Sequence, residues 1–132
     1  MNIKSSQVLV EEAKKNIETL SSEQAKELND KNEITLIDIR DIRELWKEGT
    51  IKNSIHIPRG MLEFWLDPQS SYFQEKKIGE MKNIVLFCAL GFRSALATKA
   101  LKEMGFKNVA NASGGFDALK NAGLEIVQKE KK

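Results

Sequence analysis

Apolar positions along this chain fall into two kinds of run, and their alternation predicts the architecture. Residues 34–40 read Ile34-Thr35-Leu36-Ile37-Asp38-Ile39-Arg40, a β-branched run without glycine or proline. Such a run suits a strand buried on both faces, which favours a parallel sheet. Ile84-Val85-Leu86-Phe87 predicts a second core strand, and the runs at 51–57, cut off by Pro58, and at 109–110 predict two more short strands. Between them the spacing turns helical. Leu9, Ala13 and Ile17 recur every four residues within 8–18, one stripe of a helix. Ser21 with Gln24, and Asp41 with Glu44, have the spacing of capping boxes. They predict a helix from 21 to about 29 and a short one over 41–47 that stops at Gly49. A helix over 94–104, closed by Gly105, should bury its Leu and Met residues, and another follows Gly114-Gly115 to about 122. Residues 59–78 are mixed, with Gly60, Pro68 and Ser70-Ser71 breaking them into short helical turns. The fold class is therefore α/β: one domain with a central, mostly parallel sheet and helices on both faces.

Composition narrows the picture. At 132 residues the chain suits one domain, and 41% apolar with 30% charged residues describes an ordinary globule. The expected organisation is a helical extension over 1–20 packing on the domain, the domain itself over 21–128, and a charged tail over 129–132. A balance of 21 basic and 19 acidic side chains, with few aromatics to stack bases, gives no reason to expect nucleic-acid binding. No segment approaches the roughly 18–20 apolar residues of a membrane span, and the amino terminus does not read as a secretory signal. One cysteine and one histidine leave no thiolate cage for zinc, so no metal is expected. A lone free thiol suits a reducing compartment, so the expected location is cytoplasmic.

The chemistry concentrates where the 84–87 strand runs into Cys88-Ala89-Leu90-Gly91-Phe92-Arg93-Ser94. Ligands of open α/β sheets sit at the carboxyl ends of parallel strands, where backbone amides and helix amino termini converge. A sulfur placed there meets partial positive charge, which favours thiolate over thiol. Gly91 lets the loop curl so that successive N–H groups face inward, and Arg93 adds a permanent charge at the rim. A cysteine at a strand end is commonly just a small buried hydrophobe. A packing role requires neither the glycine nor the arginine, and their presence marks Cys88 as a nucleophile. Protein tyrosine phosphatases carry Cys-x5-Arg, a ring sized for phosphate. Cys88 to Arg93 is Cys-x4-Arg, and the tighter ring better suits one sulfur atom riding on the cysteine.

On these residues the chain resembles the rhodanese (thiosulfate sulfurtransferase) family. Cys88 to Ser94 is similar to the stretch that holds its six-residue active loop, and Leu36-Ile37-Asp38-Ile39-Arg40 to its Asp-Val-Arg strand. Residues 49–58, from Gly49 to Pro58, resemble its Gly-His-Ile-x-Gly-Ala-x-x-Ile-Pro signature, with Thr50 in place of His and Asn53-Ser54 in place of Gly-Ala. Gly105-Phe106-Lys107-Asn108-Val109 and Ser113-Gly114-Gly115-Phe116-Asp117-Ala118-Leu119 are similar to its closing blocks, with Leu119 where Trp is common.

The resemblance implies a sulfurtransferase that needs no cofactor. Cys88 would take a sulfane sulfur from a small donor anion such as thiosulfate, hold it as a persulfide, and yield it to a thiol or a protein acceptor. Amides of Ala89, Leu90, Gly91, Phe92 and Ser94 would cradle that sulfur, and Arg93 would attract the donor and brace the loop. Asp38 is expected either to orient loop amides or an arginine, or to cap structurally. Arg59 and Glu63 are placed at the pocket mouth or as a plain surface pair. Arg40 and His56 read as structural, and Phe64 and Trp65 as core. Readings from other classes are a protein-to-protein persulfide carrier, a non-catalytic binding module of the same fold, and a cysteine phosphatase or arsenate reductase.

Overall fold

The protein is described by a computed structural model covering residues 2–78, 81 and 83–131, so Met1 and Lys132, the ends of the expected extension and tail, lie outside the described residues. In chain order the elements begin with α1 (Ser6–Lys15), β1 (Glu18–Leu20), α2 (Ser22–Asp30) and β2 (Ile34–Asp38). Then come α3 (Ile42–Glu48), β3 (Thr50–Ile51), β4 (Ile55–His56), α4 (Leu62–Leu66) and α5 (Glu75–Ile78). The last five are β5 (Asn83–Phe87), α6 (Phe92–Met104), β6 (Val109–Ala112), α7 (Gly115–Asn121) and β7 (Ile126–Val127). Five strands form a parallel sheet in the order β1-β6-β5-β2-β4, and β3 pairs with β7 in a small antiparallel ribbon.

Period-two alternation divides the two central strands between two cores. Leu36, Val85 and Phe87 face one way, against Ala25 of α2 and Phe116 and Leu119 of α7. Ile37, Leu86 and Cys88 face the other, against Leu62 and Leu66 of α4 and Ala97 and Leu101 of α6. Each wholly buried Leu or Ile of these clusters stabilises the fold by about 1.5–3 kcal/mol relative to an exposed one. Both predicted capping boxes are present. Ser21 accepts from Gln24 N–H while the Gln24 side chain accepts from Ser21 N–H, and Asp41 with Glu44 opens α3 in the same way.

Several expectations are corrected by packing. The 51–57 run is two strands, not one. Asn53 sits at φ 68 between them, sending β3 to pair with β7 and β4 with β2. The 8–18 helix spans Ser6–Lys15 and buries Val10 and Ala13, while Leu9 of the predicted stripe is exposed. Residues 18–20 of the expected helical extension form β1, an edge strand beside β6. Of the apolar residues of α6, Leu101 is buried but Met104, at the last turn of the helix, is exposed. Phe64, expected in the core, is exposed and meets Tyr72 edge-on at 6.3 Å, whereas Trp65 packs against the second core. No described helix is long and apolar enough to cross a membrane.

Candidate active site

Cys88 follows the last residue of β5, and the chain then turns into α6. The helix starts at Phe92, two residues earlier than its polar Ser94 suggests. Gly91 is its N-cap in the left-handed conformation, φ 99, which a side chain would strain. The turn is shaped from outside by α7. Phe116 N–H donates to the Cys88 carbonyl at 2.7 Å and Asp117 N–H to the Ala89 carbonyl at 3.4 Å. With the carbonyls drawn toward α7, the amides that follow are left to point at the sulfur. Gly115 makes this possible: at φ 60, a Cβ there would stand 2.4 Å from the Cys88 carbonyl oxygen.

The sulfur is ringed by donors. Gly91 N–H reaches Sγ at 3.2 Å, Ser94 N–H at 3.4 Å, and the Ser94 hydroxyl lies 3.4 Å away. Burial is the largest single influence on the thiol and pushes it up, since the residue is only 1% exposed. The Ser94 hydroxyl and the N–H groups of Ser94, Gly91 and Leu90 together outweigh it, and the thiol lies below its ordinary value. The cradle therefore favours the thiolate, the form of cysteine that attacks.

The other predicted residues are placed unequally. Arg93 is half-exposed at the rim, where its Nη1 and Nη2 donate to the two Glu44 carboxylate oxygens at 2.9 and 3.0 Å. That contact, more than any other influence, holds Arg93 above and Glu44 below their usual ranges. Leu90 and Phe92 stand 53% and 55% exposed, so the mouth has an apolar rim. Asp38 is directed away from the loop amides. Its carboxylate accepts from Arg40 N–H, Nε and Nη2 and from Thr50 Oγ1, at 2.7 to 3.2 Å, in a wholly buried knot. Arg40 also donates to the Gly49 carbonyl at 2.7 Å and lies over the Phe116 ring, and His56 Nε2 meets the Arg40 carbonyl at 2.7 Å. Arg59 and Glu63 pair with each other at 2.7 Å, as residues four apart on a helical turn do.

Glu44 and Asn111 are the residues that sequence reasoning missed. Glu44 reads as a helix cap, and its second partner is 49 residues away. Asn111 lies just past the strand expected at 109–110, which continues to Ala112 as β6, and the signal available was a polar amide between two alanines. No group of three or more His, Cys, Asp or Glu residues that could hold a metal occurs among the described residues.

A rhodanese-like domain pattern matches residues 21–122, more than three quarters of the chain. This chain belongs to the rhodanese-like domain family. Its resemblances within and around that family are to proteins of several descriptions. A thiosulfate sulfurtransferase of Coxiella burnetii is 29% identical over 76% of this chain and 85% of its own. A solved Rhodopseudomonas palustris protein of unknown function, described as a possible tyrosine phosphatase, is 41% identical with a TM-score of 0.88, over 96% of this chain and 97% of that one. The polysulfide-sulfur transferase homodimer of Wolinella succinogenes is 37% identical with a TM-score of 0.70, over 93% and 87%. The chain spans 28% and 59% of the length of two further curated relatives.

Proposed function

We propose that this rhodanese-like domain is a sulfurtransferase in which Cys88 carries the sulfur. The observation that carries the reading is the convergence of Gly91 N–H, Ser94 N–H and the Ser94 hydroxyl on one buried sulfur. The Cys88 thiolate attacks the outer sulfur of thiosulfate or a similar donor. An S–S bond forms, the donor's own sulfur–sulfur bond breaks, and its electron pair leaves with sulfite. The persulfide terminus then occupies the anionic position that the loop amides address, in a cradle already oriented before reaction. An acceptor such as cyanide or a thiol takes that terminal sulfur and returns Cys88 to thiolate, a double displacement through a covalent intermediate.

Arg93 draws a donor anion to the rim, although it must be shared with Glu44. The apolar rim of Leu90 and Phe92 also suits a donor or acceptor that brings an apolar surface of its own, such as a persulfide cysteine on another protein. That is the carrier version of the same chemistry. A phosphatase is the rival raised by the Rhodopseudomonas likeness. Against it stand the Cys-x4-Arg loop, one residue short of a phosphate-sized ring, and an arginine with both terminal nitrogens engaged by Glu44.

The test is intact mass after incubation with thiosulfate. Wild type should gain one sulfur, about 32 Da, that cyanide removes, and Cys88→Ser should gain nothing. Release of phosphate from an aryl phosphate, dependent on Cys88 and without any sulfur adduct, would replace the reading with the phosphatase.

A further inference from the structure

Asn111 is completely buried within the sheet, on β6 between β1 and β5, with Leu86 opposite it. An amide there is costly unless its polar atoms find partners. Both do, and both partners belong to the Cys88 loop. Ser94 Oγ donates to Asn111 Oδ1 at 2.6 Å, and Asn111 Nδ2 makes a long 3.5 Å contact to the Gly91 carbonyl. The short bond uses the one proton that the Ser94 hydroxyl owns.

That proton has two acceptors to choose between. Turned to Asn111, it leaves Oγ presenting a lone pair to Cys88 Sγ at 3.4 Å, an arrangement that suits a thiol donating its own S–H. Turned to the sulfur, it suits a thiolate or a persulfide anion, but it then leaves Oγ and Oδ1 facing each other as acceptors. The amide relieves that clash only by turning Nδ2 toward Oγ, which gives up the Gly91 contact. Asn111 therefore competes with the sulfur for the hydroxyl.

We infer that Asn111 is a positioning residue of the sulfur site, acting through Ser94 to set which way the hydroxyl proton points. It holds the hydroxyl in the thiol-compatible arrangement, against the N–H groups that favour the thiolate, and ionisation or sulfur loading turns the hydroxyl and the amide together. The inference rests on Cys88 as the ionising nucleophile of the proposed sulfur transfer, but its readout needs no sulfur donor. The charged groups on the elements around this sulfur are Arg93 of α6, which interacts with Cys88 directly, Glu44 of α3 behind it, Glu11 and Lys14 of α1, which packs along α6, and Arg40 over the Phe116 ring. Asp117 of α7 and the Arg59–Glu63 pair at α4 are on the surrounding elements. None of them changes in the variants below.

The experiment is the pH profile of Cys88 alkylation by iodoacetamide, read by intact mass. Asn111→Leu should free the hydroxyl for the sulfur and raise the thiolate fraction on the rising limb of the profile about threefold, half a pH unit. Ser94→Ala should move the profile the opposite way. The double variant should match Ser94→Ala alone, because Asn111 acts only through that hydroxyl. A shift in Asn111→Leu that persists without Ser94, or no shift, overturns the inference and leaves Asn111 as a packing residue. If Asn111→Leu does not fold, the wild type decides. The Asn111 side-chain NH2 resonances should titrate with Cys88, and should not in Ser94→Ala. Resonances that stay still in wild type as Cys88 ionises overturn the inference equally.

Discussion

β2 and β5 run side by side, with Asp38 opposite Phe87, and each passes the chain to a polar junction as it leaves the sheet. The two junctions have opposite fates. After β2, Asp38, Arg40 and Thr50 satisfy one another in a buried knot, and no side-chain nitrogen or oxygen buried among the described residues lacks a partner. After β5, two amides and a hydroxyl converge on the Cys88 sulfur. A saturated junction holds the fold. A junction whose donors await negative charge can do chemistry.

The strongest way to break this contrast is to open the knot. Asp38→Ala strands the buried Arg40 charge and should cost about 3–5 kcal/mol in urea unfolding. Under conditions where the variant is folded, it should still load sulfur on Cys88. Loss of loading in the folded variant would put Asp38 in the active site. Next is Gly115→Ala, whose methyl group meets the Cys88 carbonyl oxygen at a left-handed φ. It should cost about 1–3 kcal/mol and also slow sulfur transfer, because the carbonyl must move and the amides after it move too. Unchanged transfer in that variant would mean that the cradle does not depend on α7.

Glu44→Gln is subtler. Glutamine keeps the cap of α3 and removes the charge that occupies Arg93. Stability should change by no more than about 1 kcal/mol, as for other half-exposed pairs. The KM for thiosulfate should fall severalfold, and a rise would show that Glu44 orders Arg93 for the donor rather than competing with it. The smallest effect concerns pH. Alkylation of Cys88 should reach half its maximal rate below the ordinary thiol value, in keeping with the lowered pKa. Because the folded pKa is the depressed one, ionisation of Cys88 adds stability above the unfolded value of about 8.5. That contribution disappears as pH falls through the folded pKa.

The parallel α/β architecture and the Cys88 loop were legible because their signals are local. β-branched runs, capping boxes and a glycine before a helix act within a few residues. Glu44 shows the limit. Its cap on Asp41 is visible three residues away, but its hold on Arg93 exists only because α3 and α6 meet beyond the ends of β2 and β5. Asp38 shows the same limit, since a carboxylate ending a strand could have faced the loop, and it is the placing of Thr50 and Arg40 that turns it away.

The sequence by itself determined that the one cysteine leaves a core strand into a tight, amide-rich turn, because backbone conformation there follows from adjacent residues. The tertiary structure alone decided how that sulfur is tuned. The helix that pulls its carbonyl aside, the glutamate that shares its arginine and the asparagine that shares its serine proton come from elements distant in the chain. Hydrogen bonds act over about 3 Å of space, and no spacing along the chain records that distance.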